Sequence, residues 1–197
     1  MPTRIGDIRR QDLTEAAFLT LQQHGLRGTT IARVGAQAGM SPGIVHHYFK
    51  NKAELLEATM RRTGAKLSKE VIALLRKATT PRERLYAIIE GNFAPDTFTP
   101  EIAHAWLSFC AEVPVNPQFA RIQRVLQRRM HSNLMHCLRQ LLPLEKAIAV
   151  AGTISVLIDG FWLRRGLKDE AFSRQQALKQ MRDYLDQHVP ETSNPEA

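Results

Sequence analysis

The sequence predicts an all-α protein. Helix-start signals recur along its 197 residues at intervals suited to helices, apolar residues repeat with helical spacing between them, and no stretch sustains the alternation of a strand. About nine helices are expected. Asp7 can cap a first helix ending near Gly25, and Thr30 a second running through Ile31, Val34 and Ala38. Gly39 stops that helix, because glycine takes a left-handed backbone without a Cβ clash. Ser41-Pro42 then supplies a cap and a first-turn proline for a third helix. Asn51 with Glu54 is a capping-box pattern opening a long fourth helix through Leu55, Met60 and Leu67 towards Ala78. Thr80-Pro81-Arg82-Glu83 opens a fifth that ends near Phe93, before Pro95. Thr99-Pro100 starts a helix to about Val113, Asn116-Pro117 one to about Leu142, and Pro143 one to Gly166. Ser173 with Gln176 caps the last, and residues 191–197 read as a polar, disordered tail.

The second and third helices carry the most information. Val45 and Phe49 lie four residues apart and can pack inward with Ile31 and Val34, which leaves His46, His47 and Tyr48 facing outward or sideways. Two short helices joined by a glycine turn, the second with polar and small residues at its exposed start, read as a helix-turn-helix. Such a helix reads bases from its N-terminal residues in the major groove, and short residues such as Ser41 and Gly43 permit the approach. Ordinary helical hairpins share this spacing, so charge decides between the readings. Residues 1–52 hold seven Lys and Arg, including Arg9, Arg10 and Lys52, against three acids, and the whole chain has a formal charge of +8. A basic excess around the motif favours nucleic acid as partner, since each cation that neutralises a phosphate releases counterion.

The segments Thr30-Ile-Ala, Ala38-Gly-Met-Ser-Pro-Gly, His47-Tyr-Phe and Lys50-Asn-Lys with Leu55-Leu56 resemble the N-terminal domain of the TetR family of ligand-controlled bacterial repressors. Further segments, Leu55–Arg61, Gly91-Asn-Phe, Ala105-Trp-Leu, Ser132-Asn-Leu and Leu157-Ile-Asp-Gly, are similar to its BetI-type branch, choline-responsive repressors of glycine betaine synthesis. The resemblance implies a TetR-like fold, with a helix-turn-helix domain over 1–52 and a helical ligand-binding and dimerisation domain over 53–190. It implies phosphate contacts from Thr30, Tyr48 and Lys52, and base-edge contacts from Pro42, Gly43, His46 and His47. Two positions depart from the family's habit. Gly35 stands mid-helix where alanine is usual, at a cost of about 1 kcal/mol unless close packing requires it. His46 stands where tyrosine is frequent.

Residues 144–163 place apolar side chains around nearly the whole helix, so more than one side must be covered, and Ala177, Leu178, Met181, Tyr184 and Leu185 form a matching stripe on the last helix. Relatives dimerise through this pair, and a symmetric homodimer would set two DNA readers on a pseudo-palindromic double-stranded operator. A single thick core is the competing explanation. For a small-molecule site, Trp106, Phe109, Phe93 and Trp162 could converge on a quaternary ammonium ion such as choline, held by cation-π attraction, with Asp159 as the anion and Glu112 as a second choice. Asn92 could meet a ligand hydroxyl. Aromatics at helical spacing also serve simply as core, and Asp159 could pair with Arg164 or Arg165.

Other classes fit less well. Adjacent His46 and His47 point in different directions, and His131 and His136 lack the i, i+4 spacing of a zinc helix. No Gly-rich phosphate loop or nucleophile elbow is present, so neither a catalytic role, a metal nor a cofactor is expected. No run reaches the roughly 18 apolar residues of a membrane span, and the N-terminus lacks a secretory core, so a cytoplasmic protein is expected. Cys110 and Cys137 read as buried thiols. A nonspecific architectural DNA-binding protein remains the rival, because charge alone would suffice for it.

Overall fold

The computed structural model describes residues 4–169 and 172–190, so the expected tail at 191–197 lies outside the described residues. Nine helices account for the architecture among those residues: α1 (Arg4–Gly28), α2 (Ile31–Gln37), α3 (Pro42–Tyr48), α4 (Lys52–Leu75), α5 (Pro81–Asn92), α6 (Pro100–Glu112), α7 (Pro117–Leu138), α8 (Leu144–Gly166) and α9 (Arg174–His188). The starts follow local capping chemistry. The Thr30 hydroxyl accepts from the Arg33 amide, and Thr80 with Glu83 and Ser173 with Gln176 close reciprocal capping boxes.

Several boundaries differ from expectation, and the fourth helix ends at Leu75, short of Ala78. The first helix starts ahead of Asp7 and continues past Gly25, which takes φ +62° and kinks the helix, while both the amide and the hydroxyl of Thr29 donate to the Gly25 carbonyl at 3.1 and 2.7 Å. The seventh ends at Leu138 instead of about Leu142, because the amides of Gln140 and Leu141 turn back to the carbonyls three residues earlier and tighten the chain ahead of Pro143.

The chain divides into two compact units, and the division cuts through α4, α6 and α7. Residues up to Ala65 together with His104–Gln123 form the first, and Lys66–Ala103 with the chain from Arg124 onward the second. In the first, Leu13, Ala16 and Ala17 of α1, Val34 of α2, Met40, Val45 of α3, Phe49 and Leu55 of α4 close one core. Gly39 ends α2 with φ +64°, the left-handed stop the sequence calls for. In the second unit α8 supplies Ala147, Val150, Ala151, Ile154, Ile158, Phe161 and Trp162 as buried residues, and α9 supplies Ala177, Met181 and Leu185. Arg82 ties α5 to the end of α9: it donates to the Val189 carbonyl and to Asp186, which also accepts from the Tyr86 hydroxyl at 2.7 Å.

α8 is longer and more apolar than the run-length criterion allowed for. Among the described residues it is the one helix long and apolar enough, by length and composition, to fit a membrane span. Its buried face is occupied by the core of the second unit.

Candidate nucleic-acid interface

The first unit presents α3 as an outward ridge. Val45 is fully buried and Phe49 nearly so, which pins one side of the helix to the core. Ser41, Pro42, Gly43, Ile44, His46 and His47 are all exposed on the other sides. The Ser41 hydroxyl accepts from the Ile44 amide at 3.4 Å, and Pro42 occupies the first turn, where its missing N–H costs nothing. His47 stands edge-on to the half-buried Tyr48, ring centroids 5.0 Å apart. Thr30, at the start of α2, and Arg9, on α1, are exposed as well.

Two basic residues of the expected DNA-binding set, Arg10 and Lys52, hold main-chain oxygens here. Arg10 donates to the Tyr48 carbonyl, lies 4.3 Å from the centroid of the Phe49 ring and approaches Glu54 at 3.8 Å, so it locks the end of α3 against α1. Lys52 donates to the Leu26 carbonyl at 2.7 Å. Partial burial lowers the Lys52 pKa, and the nearby charge of Glu112 opposes that shift. An ammonium has three N–H donors, so Lys52 keeps two beyond this bond.

The aromatic residues form two sets, one in each unit. In the first unit Trp106 stacks on Phe109 at 5.2 Å between centroids, and Phe109 meets Phe119 at 5.0 Å. In the second, Phe161, Phe93, Phe98 and Trp162 follow one another edge to face at 5.7, 5.0 and 5.3 Å. Thus Phe93 and Trp162 join through Phe98, which the sequence had not singled out, and Phe161 extends the row beyond Phe93. Asn92 donates its side-chain amide to the Ile88 carbonyl at 2.8 Å, at the end of its own helix.

Asp159 is placed differently from expectation. It lies on the exposed side of α8 with Val156 and Leu163 and has no hydrogen bond or ion pair among the described residues. Arg164 pairs instead with Asp169 at 3.1 Å, and Arg165 donates to the Phe98 carbonyl at 3.4 Å. Desolvation by the apolar flank pushes the Asp159 carboxyl above the usual range.

This geometry has close relatives. The description "Bacterial regulatory proteins, tetR family" matches residues 13–59, and "BetI-type transcriptional repressor, C-terminal" matches residues 81–190. The chain is 40% identical over 186 residues to the HTH-type transcriptional regulator BetI of Yersinia pestis (strain Pestoides F), covering 92% of this chain and 93% of that one. The chain belongs to the TetR family, in its BetI-type branch. The BetI regulator of Rhizobium meliloti (strain 1021) is 35% identical over 92% of this chain and 90% of its own. A transcriptional regulator from Saccharomonospora viridis, solved in complex with choline, shares the fold with a TM-score of 0.84 at 20% identity, covering 94% of this chain and all of that one.

As a BetI-type repressor the chain is a transcriptional regulator and not an enzyme. TetR-family regulators bind DNA and small-molecule effectors, usually as dimers. Two features of this BetI-type chain are decided by its packing. Ile44, to which the sequence assigned no role, faces solvent beside the buried Val45. Gly35, the departure from family habit, is explained by packing: its Cα lies too near the turn after α2 to carry a side chain.

Proposed function

We propose that this BetI-type repressor binds a pseudo-palindromic operator as a homodimer, represses genes for choline uptake and glycine betaine synthesis, and is released by choline in the cytoplasm. The observation that carries the DNA half is the exposed ridge of α3 on a buried Val45 and Phe49, with the exposed N-cap of α2 beside it in the same unit. Pro42, Gly43, His46 and His47 would meet base edges. Thr30, Ser41, Tyr48, Arg9 and the two spare donors of Lys52 would meet phosphates, with Arg10 holding the ridge in place. In this scheme residues 1–52 are the DNA-binding domain and 53–190 the effector and dimerisation domain.

Dimerisation through α8 and α9 is supported by what α8 leaves uncovered. Ile148, Val156 and Leu163 are 51, 70 and 46% exposed, and Gly152 on the same stripe has nothing within 4 Å of a Cβ position. A helical glycine with open space beside it costs about 1 kcal/mol relative to alanine, which close approach of a second helix would offset. Such a face resembles half of an oligomer core.

For the effector, the support is the naming of the relatives as BetI, the choline complex of a protein with the same fold, and the aromatic sets. A quaternary ammonium has no hydrogen to donate, so rings would hold it: Phe93, Phe98 and Trp162 within the second unit, or Trp106 and Phe109 within the first. Asn92 retains its side-chain oxygen for a ligand hydroxyl. Asp159 is the weakest member, because its exposed position suits the subunit interface better than a ligand pocket. That placement favours one second reading, a TetR-type repressor that answers to a different cationic or apolar molecule. Ligand binding would bias α4, which runs through both units, with a coupling of ~1–3 kcal/mol being typical.

Competition decides the first point: a duplex enriched by the protein should resist displacement by random duplex, and equal displacement would leave a nonspecific architectural protein. Calorimetric titration with choline, betaine aldehyde and glycine betaine decides the second, with choline binding weakened by Trp162→Ala. Absence of heat with all three would favour another effector.

A further inference from the structure

The outer side of α3 carries one large apolar side chain. Ile44 is 44% exposed, although the adjacent Val45 is completely buried. Beside it, Gly43 occupies a helical position where a Cβ would meet nothing nearer than the Ser41 hydroxyl at 3.8 Å, an ordinary contact. No crowding within this chain requires glycine there, and its backbone is right-handed, so alanine would suit the helix better. Gly35 makes the contrast, since there the fold itself excludes a side chain. The missing side chain at position 43 therefore points to something outside the chain that comes close to α3. Gly43 and Ile44 stand four and three residues before His47, so both neighbour it on the surface of the helix.

A branched aliphatic side chain has no donor or acceptor to offer a base edge. The apolar group that base pairs present in the major groove is the 5-methyl of thymine. We infer that Ile44 is a specificity-determining residue that packs on a thymine methyl in each half-site, and that position 43 is glycine so that the groove wall can come close enough for this contact. The inference rests on the operator-binding reading above and extends it to a residue whose side chain has neither charge nor hydrogen-bonding group.

The test uses the full-length protein and the duplex it enriches from a random pool. Each thymine is exchanged in turn for deoxyuridine, which removes the 5-methyl alone. One thymine per half-site should then weaken wild-type binding about fourfold, the loss expected for one buried methyl. Ile44→Ala should bind thymine and uracil duplexes equally at that position while discriminating as before elsewhere, and Ile44→Val should retain part of the preference. Because Ile44 is a surface residue, its truncation should leave the thermal midpoint unchanged, which separates loss of reading from loss of fold. Gly43→Ala should keep or raise the midpoint yet lose at least tenfold in affinity for the enriched duplex, with low-salt binding to random duplex preserved. Unaltered thymine preference in Ile44→Ala, or full-strength binding by Gly43→Ala, would overturn the inference. A pool that yields no enriched duplex would reject the operator-binding reading itself, and this inference with it.

Discussion

A side-chain carbon on Gly35 would stand 2.6 Å from the carbonyl oxygen of Met40, closer than real Cβ atoms come to anything. The Gly35 carbonyl in turn accepts the Met40 amide at 2.8 Å, so the two residues close the turn between α2 and α3 from both sides. Gly35→Ala would have to open this turn. The obstacle is backbone and cannot swing away, so a loss of roughly 1–3 kcal/mol is expected, with operator binding lost alongside. Thermal unfolding and gel shift should both register it; a variant with unchanged midpoint would contradict the geometry.

Lys52 joins the end of α1 to the start of α4 through the Leu26 carbonyl. Lys52→Met removes a charge-assisted bond and a proposed phosphate contact together. The first should cost about 1.5–3 kcal/mol of stability. The second should flatten the dependence of log affinity on log salt by about one unit per contact. If only the midpoint falls and the salt slope stays put, Lys52 has a structural role alone.

Asp159 gives a pH dependence of definite sign. Its carboxyl is held above the ordinary range by desolvation, so the folded chain binds this proton more readily than the unfolded one. Its contribution therefore favours folding at low pH, and that advantage is lost as pH rises from the ordinary aspartate value of about 3.9 through the raised folded one. Asp159→Asn should accordingly melt above wild type at pH 7, and the difference should vanish in acid. Equal midpoints at neutral pH would rule out the strain assigned to this carboxylate.

Val156 is the most exposed apolar residue in the middle of α8. Val156→Glu adds a charge to the uncovered stripe without touching the core of the unit. Sedimentation should report a monomer that keeps its helical circular dichroism and loses most operator affinity, because two half-sites no longer share one particle. A dimer of wild-type strength would place the subunit contact elsewhere.

The helices were largely legible in the chain because their signals are local. Thr30, Ser41-Pro42, Thr80-Pro81 and Ser173 each satisfy orphan amides within a turn of themselves, and Gly39 adopts the left-handed backbone its position asked for. Where a boundary slipped, at Gly25 and at Leu138, the end depended on bonds that do not stop a helix outright: a kink the chain runs through, and a tightened last turn. The basic excess and the spacing of Val45 and Phe49 likewise pointed to a DNA reader, since both are properties of short segments.

What sequence alone determined is thus the all-α class, the order of the helices and the family, each written in caps, turns and periodicity that involve neighbours a few residues apart. Tertiary structure decided which side of each helix is covered. It turned Arg10 and Lys52 towards carbonyl oxygens, set Asp159 on the open side of α8, left Ile44 in solvent and pressed Gly35 against Met40. These outcomes hang on contacts between segments far apart in the chain, and periodicity names a helix's apolar residues without saying which of them a distant segment will reach.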